Sequence, residues 1–148
     1  MSHKIYILNG PNLNLVGVRE PEIYGTETLQ NVATRCRALC PEGISIVDYQ
    51  SNHEGQLIVW IHEARDEAAA IIINAGAYTH TSIAILDALR AYQGIVVELH
   101  ISQIHKRESF RHHSYIAQRA DVVLEGMGVE GYLHATRFIC EKLGYKRH

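Results

Sequence analysis

The chain has 148 residues, of which 47% are apolar and 20% are charged, and its formal net charge at pH 7 is −2. This length predicts a single domain, residues 1–148, and this composition is typical of a folded globular protein. The charge argues against nucleic-acid binding and against attachment to an anionic membrane surface, so we expect a small-molecule partner.

The sequence also indicates where the protein is located. Residues 1–9 lack the apolar core of a signal peptide, and no apolar run approaches the length of about 18 residues that a membrane span needs. We therefore expect a cytoplasmic protein, in which Cys36, Cys40 and Cys140 are reduced thiols. A metal site at Cys36 and Cys40 would lack the nearby ligands that complete a set of four.

Apolar runs typical of strands alternate with segments of helical spacing. The runs at 70–73 and 95–97 are apolar on both faces, as strands covered by helices on two sides must be. This pattern predicts an α/β fold, a flavodoxin-like doubly wound parallel sheet of five strands in the order 2-1-3-4-5, with helices on both faces. The predicted strands are 4–8, 44–49, 70–74, 95–99 and 121–125, and the predicted helices are 28–40, 54–65, 82–91 and 129–143.

The segment 9–25, after the first strand, is too long for a simple connection. Loops longer than about 12 to 15 residues without secondary structure are uncommon in compact domains and are often active-site lids. Its five apolar residues favour a lid over disorder, because their surface needs covering for part of the time. These residues are Leu13, Leu15, Val16, Val18 and Ile23.

Polar segments follow the other strands too, at 51–54, 74–81 and 100–111. Ser51 and Glu54 have the spacing of a capping box at the start of the second helix. In open α/β sheets, ligands bind beyond the carboxyl ends of the strands, so we expect these loops to converge on one cleft.

Several common chemistries find no support in the sequence. Gly126, Gly128 and Gly131 form a G-x-G-x-x-G motif, but no strand follows the next helix to bind a dinucleotide's ribose, so we interpret it as a tight turn. The ten histidines lack metal-ligand spacing, and neither a G-x-S-x-G elbow nor a Walker sequence occurs. We predict no metal and no cofactor.

The remaining candidates suit proton transfer. Tyrosine has a pKa of about 10, so Tyr24 would act as a base at neutral pH only beside a positive charge, which Arg19 can supply. Glu98 and His100 are two apart on a predicted strand and share a face. The carboxylate could therefore hold the imidazole in one tautomer as a general acid.

With these residues the chain closely resembles the type II 3-dehydroquinate dehydratases over nearly its whole length. Four blocks together make the resemblance specific. They are Leu8-Asn-Gly-Pro-Asn-Leu-Asn-Leu15 with Arg19-x-Pro-Glu-Ile-Tyr-Gly25, Gln50-Ser-Asn-His-Glu-Gly55, Ile73-Asn-Ala-Gly-Ala-Tyr-Thr-His-Thr-Ser82, and Glu98-Leu-His-Ile-Ser102 with Arg107-Glu-Ser-Phe-Arg111.

The resemblance implies anti elimination of water from 3-dehydroquinate through an enol or enolate. Tyr24 would take the C2 proton, and Arg19 would stabilise the tyrosinate and the developing charge. Asn12 would hold a water against the enolate oxygen. His100, oriented by Glu98, would protonate the departing C1 hydroxyl.

The resemblance also assigns substrate binding. It directs Asn74 and the backbone amides of Ile101 and Ser102 to the carboxylate, and His80 and Arg111 to ring hydroxyls. One departure from the family pattern is Gln103, where asparagine is usual.

The resemblance further implies a homo-oligomer, a dodecamer built as a tetramer of trimers, in which Asp87 reaches a neighbouring subunit's site. Without the family resemblance, Asp87 would be interpreted as a solvated helix residue. The alternative function is a flavodoxin-like module that binds a flavin or nucleotide without catalysis. Such a module would need a phosphate-binding loop after the first strand, where this chain has Asn9-Gly-Pro-Asn12.

Overall fold

The structure is a computed structural model that describes residues 2–145, except for the side chains of Ile23 and Tyr24. Five parallel strands form one sheet in the order β2-β1-β3-β4-β5. The predicted order is confirmed, and every predicted strand end lies within one residue of the observed end. The strands are β1 (His3–Asn9), β2 (Ile44–Gln50), β3 (Ala70–Asn74), β4 (Ile95–His100) and β5 (Val122–Glu125).

Helices cover both faces of the sheet, and each of the four predicted helices lies within two residues of its observed ends. No helix of the described residues is long and apolar enough to cross a membrane. The helices are α1 (Pro21–Tyr24), α2 (Leu29–Leu39), α3 (Glu54–Glu67), α4 (Ile83–Arg90) and α5 (Glu130–Lys142).

Two apolar cores lie on opposite faces of the sheet because side chains alternate along each strand. Ile72 of β3 packs in the core beneath α2 and α5, whereas Ile71 and Ile73 pack in the core beneath α3 and α4. All three are fully buried. This two-sided burial explains why the predicted strands are continuous apolar runs.

The helix starts differ in how they are capped. At α2, the Thr28 hydroxyl accepts a hydrogen bond from the Asn31 N–H at 3.2 Å. The capping box predicted for α3 is wrong, because His53 is the residue that precedes the helix and its side chain makes no cap bond. The Ser51 hydroxyl instead accepts from the His53 N–H at 3.0 Å, which stabilises the turn before the helix.

The loop after β1 contains more local structure than we predicted. A single 3-10 turn spans Leu13–Leu15, and α1 follows. Val16 is only 7% exposed and packs in the core beneath α2, whereas Val18 is 72% exposed. Val16, together with the partly buried Leu13, therefore packs this part of the loop against the core.

The start of this loop lies against the end of β3. The Gly10 N–H donates to the Asn74 carbonyl at 2.8 Å, and a Cβ atom at Gly10 would lie only 2.4 Å from the Ala75 carbonyl oxygen. The two backbones can approach this closely only because residue 10 has no side chain.

Replacing Gly10 by alanine should therefore separate these two loops. We expect Gly10→Ala to lower the free energy of unfolding by about 1–3 kcal/mol, as overpacking does. Gly55→Ala on α3 is the matched control, because its added Cβ meets nothing within 4 Å apart from the adjoining backbone of its own helix, and it should be neutral or stabilising by up to about 1 kcal/mol. Urea denaturation of both variants measures the difference; equal stabilities would contradict this account.

Candidate active site

A cavity of about 220 Å³ lies beyond the carboxyl ends of β1, β3 and β4. Three of the four loops predicted to converge on one cleft line this cavity, whereas no residue of the fourth, 51–54, does. Among the described residues, its lining includes three arginines and two histidines but no carboxylate. Eight of the predicted site residues line it: Asn12, Arg19, Asn74, His80, His100, Ile101, Ser102 and Arg111.

A buried imidazole, His100, lines the cavity, and a buried carboxylate, Glu98, lies behind it. Strand β4 places Glu98 and His100 on one face, where the His100 Nε2 donates to Glu98 Oε2 at 2.5 Å. Glu98 is fully buried and His100 is 6% exposed. With the Nε2 proton directed at Glu98, Nδ1 is the ring nitrogen left to face a ligand, and it has no hydrogen-bond partner among the described residues.

Ser114 is a member of this site that the sequence reasoning missed. Its hydroxyl donates to Glu98 Oε2 at 2.8 Å and accepts from the Ala117 N–H at 3.1 Å. Because a carboxylate oxygen can only accept a hydrogen bond, the hydroxyl proton is directed at Glu98. Two donors therefore stabilise the negative charge on one oxygen of Glu98.

The glycine motif holds the end of β4 in place. It forms the turn between β5 and α5, as its context predicted, and Gly126 and Gly128 both have left-handed φ angles. The Gly126 N–H donates to the His100 carbonyl at 3.3 Å, and the Gly128 N–H donates to the Ile101 carbonyl at 3.1 Å. Within the described residues, the N–H groups of Ile101 and Ser102 make no loop hydrogen bond, so they can bind an anion.

His80 and Arg111 enter the cavity from two further loops. The His80 Nδ1 donates to the His113 carbonyl at 2.8 Å, and burial lowers the pKa of His80 below its ordinary value. The neutral ring then presents Nε2 as an acceptor. Arg111 donates through Nε to Glu108 at 2.6 Å, so the rest of its guanidinium can serve a ligand.

The loop after β2 fixes the start of the loop after β1. Asn12 has a left-handed φ of 69°, and its N–H donates to Asn52 Oδ1 at 3.0 Å. The Gln50 side chain donates to that same oxygen and to the Gly10 carbonyl, each at 3.1 Å. Gln50 ends β2 and Asn52 follows it. This position at the carboxyl end of a parallel strand is the sequence signal that predicts a place for both residues beside the site.

Two predicted site residues, Tyr24 and Asp87, and one residue without a predicted role, Arg107, remain to be located. The side chain of Tyr24 lies outside the described residues, although its backbone ends α1. Asp87 is exposed on α4 and does not line this cavity. Arg107 does line it, and the sequence reasoning gave it no role. No cluster of three His, Cys, Asp or Glu side chains suited to a metal occurs within residues 2–145.

Comparison with known proteins identifies the family. The profile of a family described as "Dehydroquinase class II" matches residues 3–140. The chain belongs to the class II dehydroquinases. The type II dehydroquinase of Butyrivibrio crossotus, a solved structure, shares its fold with a TM-score of 0.88 at 40% identity, over 93% of this chain and 97% of that one.

Relatives within the class II dehydroquinases are closer in sequence. The 3-dehydroquinate dehydratase of Cereibacter sphaeroides (strain KD131) is 62% identical over 141 residues, which cover 95% of this chain and 96% of the relative. The 3-dehydroquinate dehydratase 2 of Agrobacterium fabrum is 59% identical over 134 residues, covering 90% and 91%. The similarity therefore spans the whole sheet and every loop of the cavity.

Removing the buried carboxylate should be costly for folding. In Glu98→Ala, the N–H of His100 and the hydroxyl of Ser114 both lose their acceptor, so we expect the free energy of unfolding to fall by about 3 kcal/mol. Glu67→Ala breaks a half-exposed ion pair with Lys4 and should cost less than about 1 kcal/mol. Urea denaturation at one protein concentration compares them, and a similar loss in both would refute the role given to burial.

Proposed function

We propose that this class II dehydroquinase is a 3-dehydroquinate dehydratase of the shikimate pathway. It removes water from 3-dehydroquinate by anti elimination and gives 3-dehydroshikimate through an enol or enolate. The proposal rests mainly on the buried Glu98–His100 pair beside an arginine-lined cavity. The names of its relatives in Cereibacter and Agrobacterium support it.

His100 is the proposed general acid. Its Nδ1 gives a proton to the C1 hydroxyl as the C1–O bond breaks, and water leaves while the electron pair of the enolate forms the new double bond. Glu98 accepts the Nε2–H of the same ring at 2.5 Å and stabilises its protonated form. Ser114 keeps that carboxylate in place.

The base and its supporting groups lie on the loop after β1. As a tyrosinate, Tyr24 takes the C2 proton, which the adjacent C3 ketone acidifies, and the Arg19 guanidinium stabilises the tyrosinate and the developing enolate. Asn12 holds a water against the enolate oxygen. Arg19 and Asn12 line the same cavity as His100, which supports this arrangement.

The remaining cavity residues bind the substrate. Asn74 and the N–H groups of Ile101 and Ser102 take the carboxylate, as their free donors allow. His80 accepts from one ring hydroxyl through Nε2, and Arg111 donates to another.

The charge of the cavity suits an anionic substrate. Arg19, Arg107 and Arg111 line it, and none of its described lining residues is acidic. A cleft with positive charge of this kind attracts a carboxylate and raises its local concentration. No cofactor is required, because every proton transfer is made by a side chain.

We also propose a single cytoplasmic catalytic domain that forms trimers within a dodecamer, where Asp87 completes a neighbouring subunit's site. Asp87 is exposed on α4 one turn after Ile83, an apolar side chain that is 55% exposed. The three free cysteines suit a reducing compartment. Sedimentation of the active enzyme as a monomer would contradict the oligomer.

The decisive test is turnover of 3-dehydroquinate by the purified protein in the presence of EDTA. We expect an ultraviolet absorbance increase from the conjugated enone product, with a rate that the chelator does not change. Absence of the signal, or its loss with EDTA, would contradict the proposal. Purified protein that is yellow or contains nucleotide would favour the flavodoxin-like binding module instead.

The roles of the loop residues predict a specific loss. Tyr24→Phe and Arg19→Ala should each lower kcat by about 100-fold or more, because they remove the base or its stabilising charge, while calorimetry still detects substrate binding. Tyr49→Phe and Arg65→Ala are matched controls, because neither residue lines the cavity, and both should keep the parental kcat. Near-normal turnover in Tyr24→Phe would rule out Tyr24 as the base.

A further inference from the structure

A buried cluster of three polar side chains lies directly beneath the cavity. Tyr132 of α5 is 1% exposed, and its hydroxyl lies between Asn9 of β1 and Asn74 of β3, which are 3% and 4% exposed. The two asparagines are paired across neighbouring strands. Only Asn74 of the three lines the cavity.

The positions of the protons in this cluster follow from the atoms in contact. A phenol has one proton, and Tyr132 donates it to Asn9 Oδ1 at 2.5 Å. The phenol oxygen then accepts from Asn74 Nδ2 at 3.1 Å. The other end of the Asn74 amide, Oδ1, accepts from the Gly76 N–H at 3.2 Å.

These contacts permit only one orientation of the Asn74 amide. If the amide were reversed, Oδ1 would face a phenol oxygen whose proton is already committed to Asn9. The NH₂ group of Asn74 would then face the N–H of Gly76. Two hydrogen bonds would therefore be lost in a buried environment. Burial also raises the pKa of Tyr132 above its ordinary value, so the phenol keeps its proton at neutral pH.

We infer that Tyr132 is a positioning residue for the anionic substrate, which acts by holding Asn74 so that an N–H, and not a carbonyl oxygen, is available to the bound carboxylate. Asn74 Nδ2 has two protons, and Tyr132 occupies one of them. The inference rests on the proposed function, in which Asn74 binds the carboxylate of 3-dehydroquinate.

The test compares two buried phenols in the full-length enzyme. Tyr132→Phe should raise the KM for 3-dehydroquinate about 10-fold, the effect expected of one hydrogen bond, and should leave kcat within about twofold. Tyr92→Phe is the matched control, because Tyr92 is 2% exposed and its hydroxyl donates to the Ala68 carbonyl at 2.8 Å, next to the amino-terminal end of β3 and away from the cavity. Both variants should melt about 2–4 °C lower, but Tyr92→Phe should keep the parental KM.

A double-mutant cycle separates positioning from general destabilisation. Once Asn74 is alanine, adding Tyr132→Phe should leave KM unchanged, because there is no longer an amide to orient. If Tyr132→Phe does not fold, Asn9→Ala replaces it: the phenol proton loses its acceptor, and KM should rise by about threefold or more.

Each other outcome overturns the inference. A parental KM in Tyr132→Phe, or effects of Tyr132→Phe and Asn74→Ala on KM that add in full, would show that the phenol does not act through Asn74. A parental KM in Asn9→Ala would show the same. Turnover by the parent enzyme with either result leaves the proposed function standing, whereas a parent enzyme without turnover removes both.

Discussion

The whole site depends on the register of three parallel strands. Asn9 pairs with Asn74 between β1 and β3, and Ile73 pairs with Glu98 between β3 and β4. The last polar residues of these strands therefore reach the same edge of the sheet together. A slip of β4 by one residue would turn both Glu98 and His100 to the opposite face, and the acid would be lost without any change in sequence.

This register also places polar groups where the solvent cannot reach them. Burying a carboxylate costs several kcal/mol unless donors surround it, and Glu98 has two donors on Oε2 and no partner for Oε1 among the described residues. The apolar strands offset such costs, since Ile71, Ile72 and Ile73 are fully buried between two helical layers. The burial of the apolar core thus offsets the cost of an incompletely hydrogen-bonded carboxylate beside the site.

The sequence predicts the fold well because its strands are continuous apolar runs and its helices are amphipathic. Both patterns can be recognised within a few neighbouring residues. It also predicts which loops meet, because the rule for parallel sheets depends only on strand order. Local turn chemistry was less predictable: Ser51 has the spacing of a capping residue but bonds the backbone before the helix.

The hydrogen-bond partners of the site residues could not have been found in the same way. Ser114 lies 16 positions from Glu98, and Tyr132 lies 123 positions from Asn9. Neither separation corresponds to a helix or strand period, so only the folded chain brings these groups together. For Asp87 the limit lies in the single chain, because its predicted role can be seen only beside a second subunit.

In the proposed reaction, the acid His100 lies on a buried strand, whereas Arg19, which supports the base, lies on an exposed loop. His100 is buried on a strand, bonded to Glu98 through its ring and to Gly126 through its carbonyl. Proton donation at a fixed atom requires such rigidity.

Arg19, in contrast, is exposed on a loop whose first half is held by the packing of Leu13 and Val16 and by hydrogen bonds at Gly10 and Asn12. The loop also contains two non-glycine residues with left-handed φ, 69° at Asn12, a residue type that tolerates this region, and 47° at Glu20, where it costs about 1–2 kcal/mol. In the proposed reaction the Arg19 guanidinium and the substrate carry opposite charges, so a bound anion would stabilise Arg19 in the cavity, where the proposed base needs its charge.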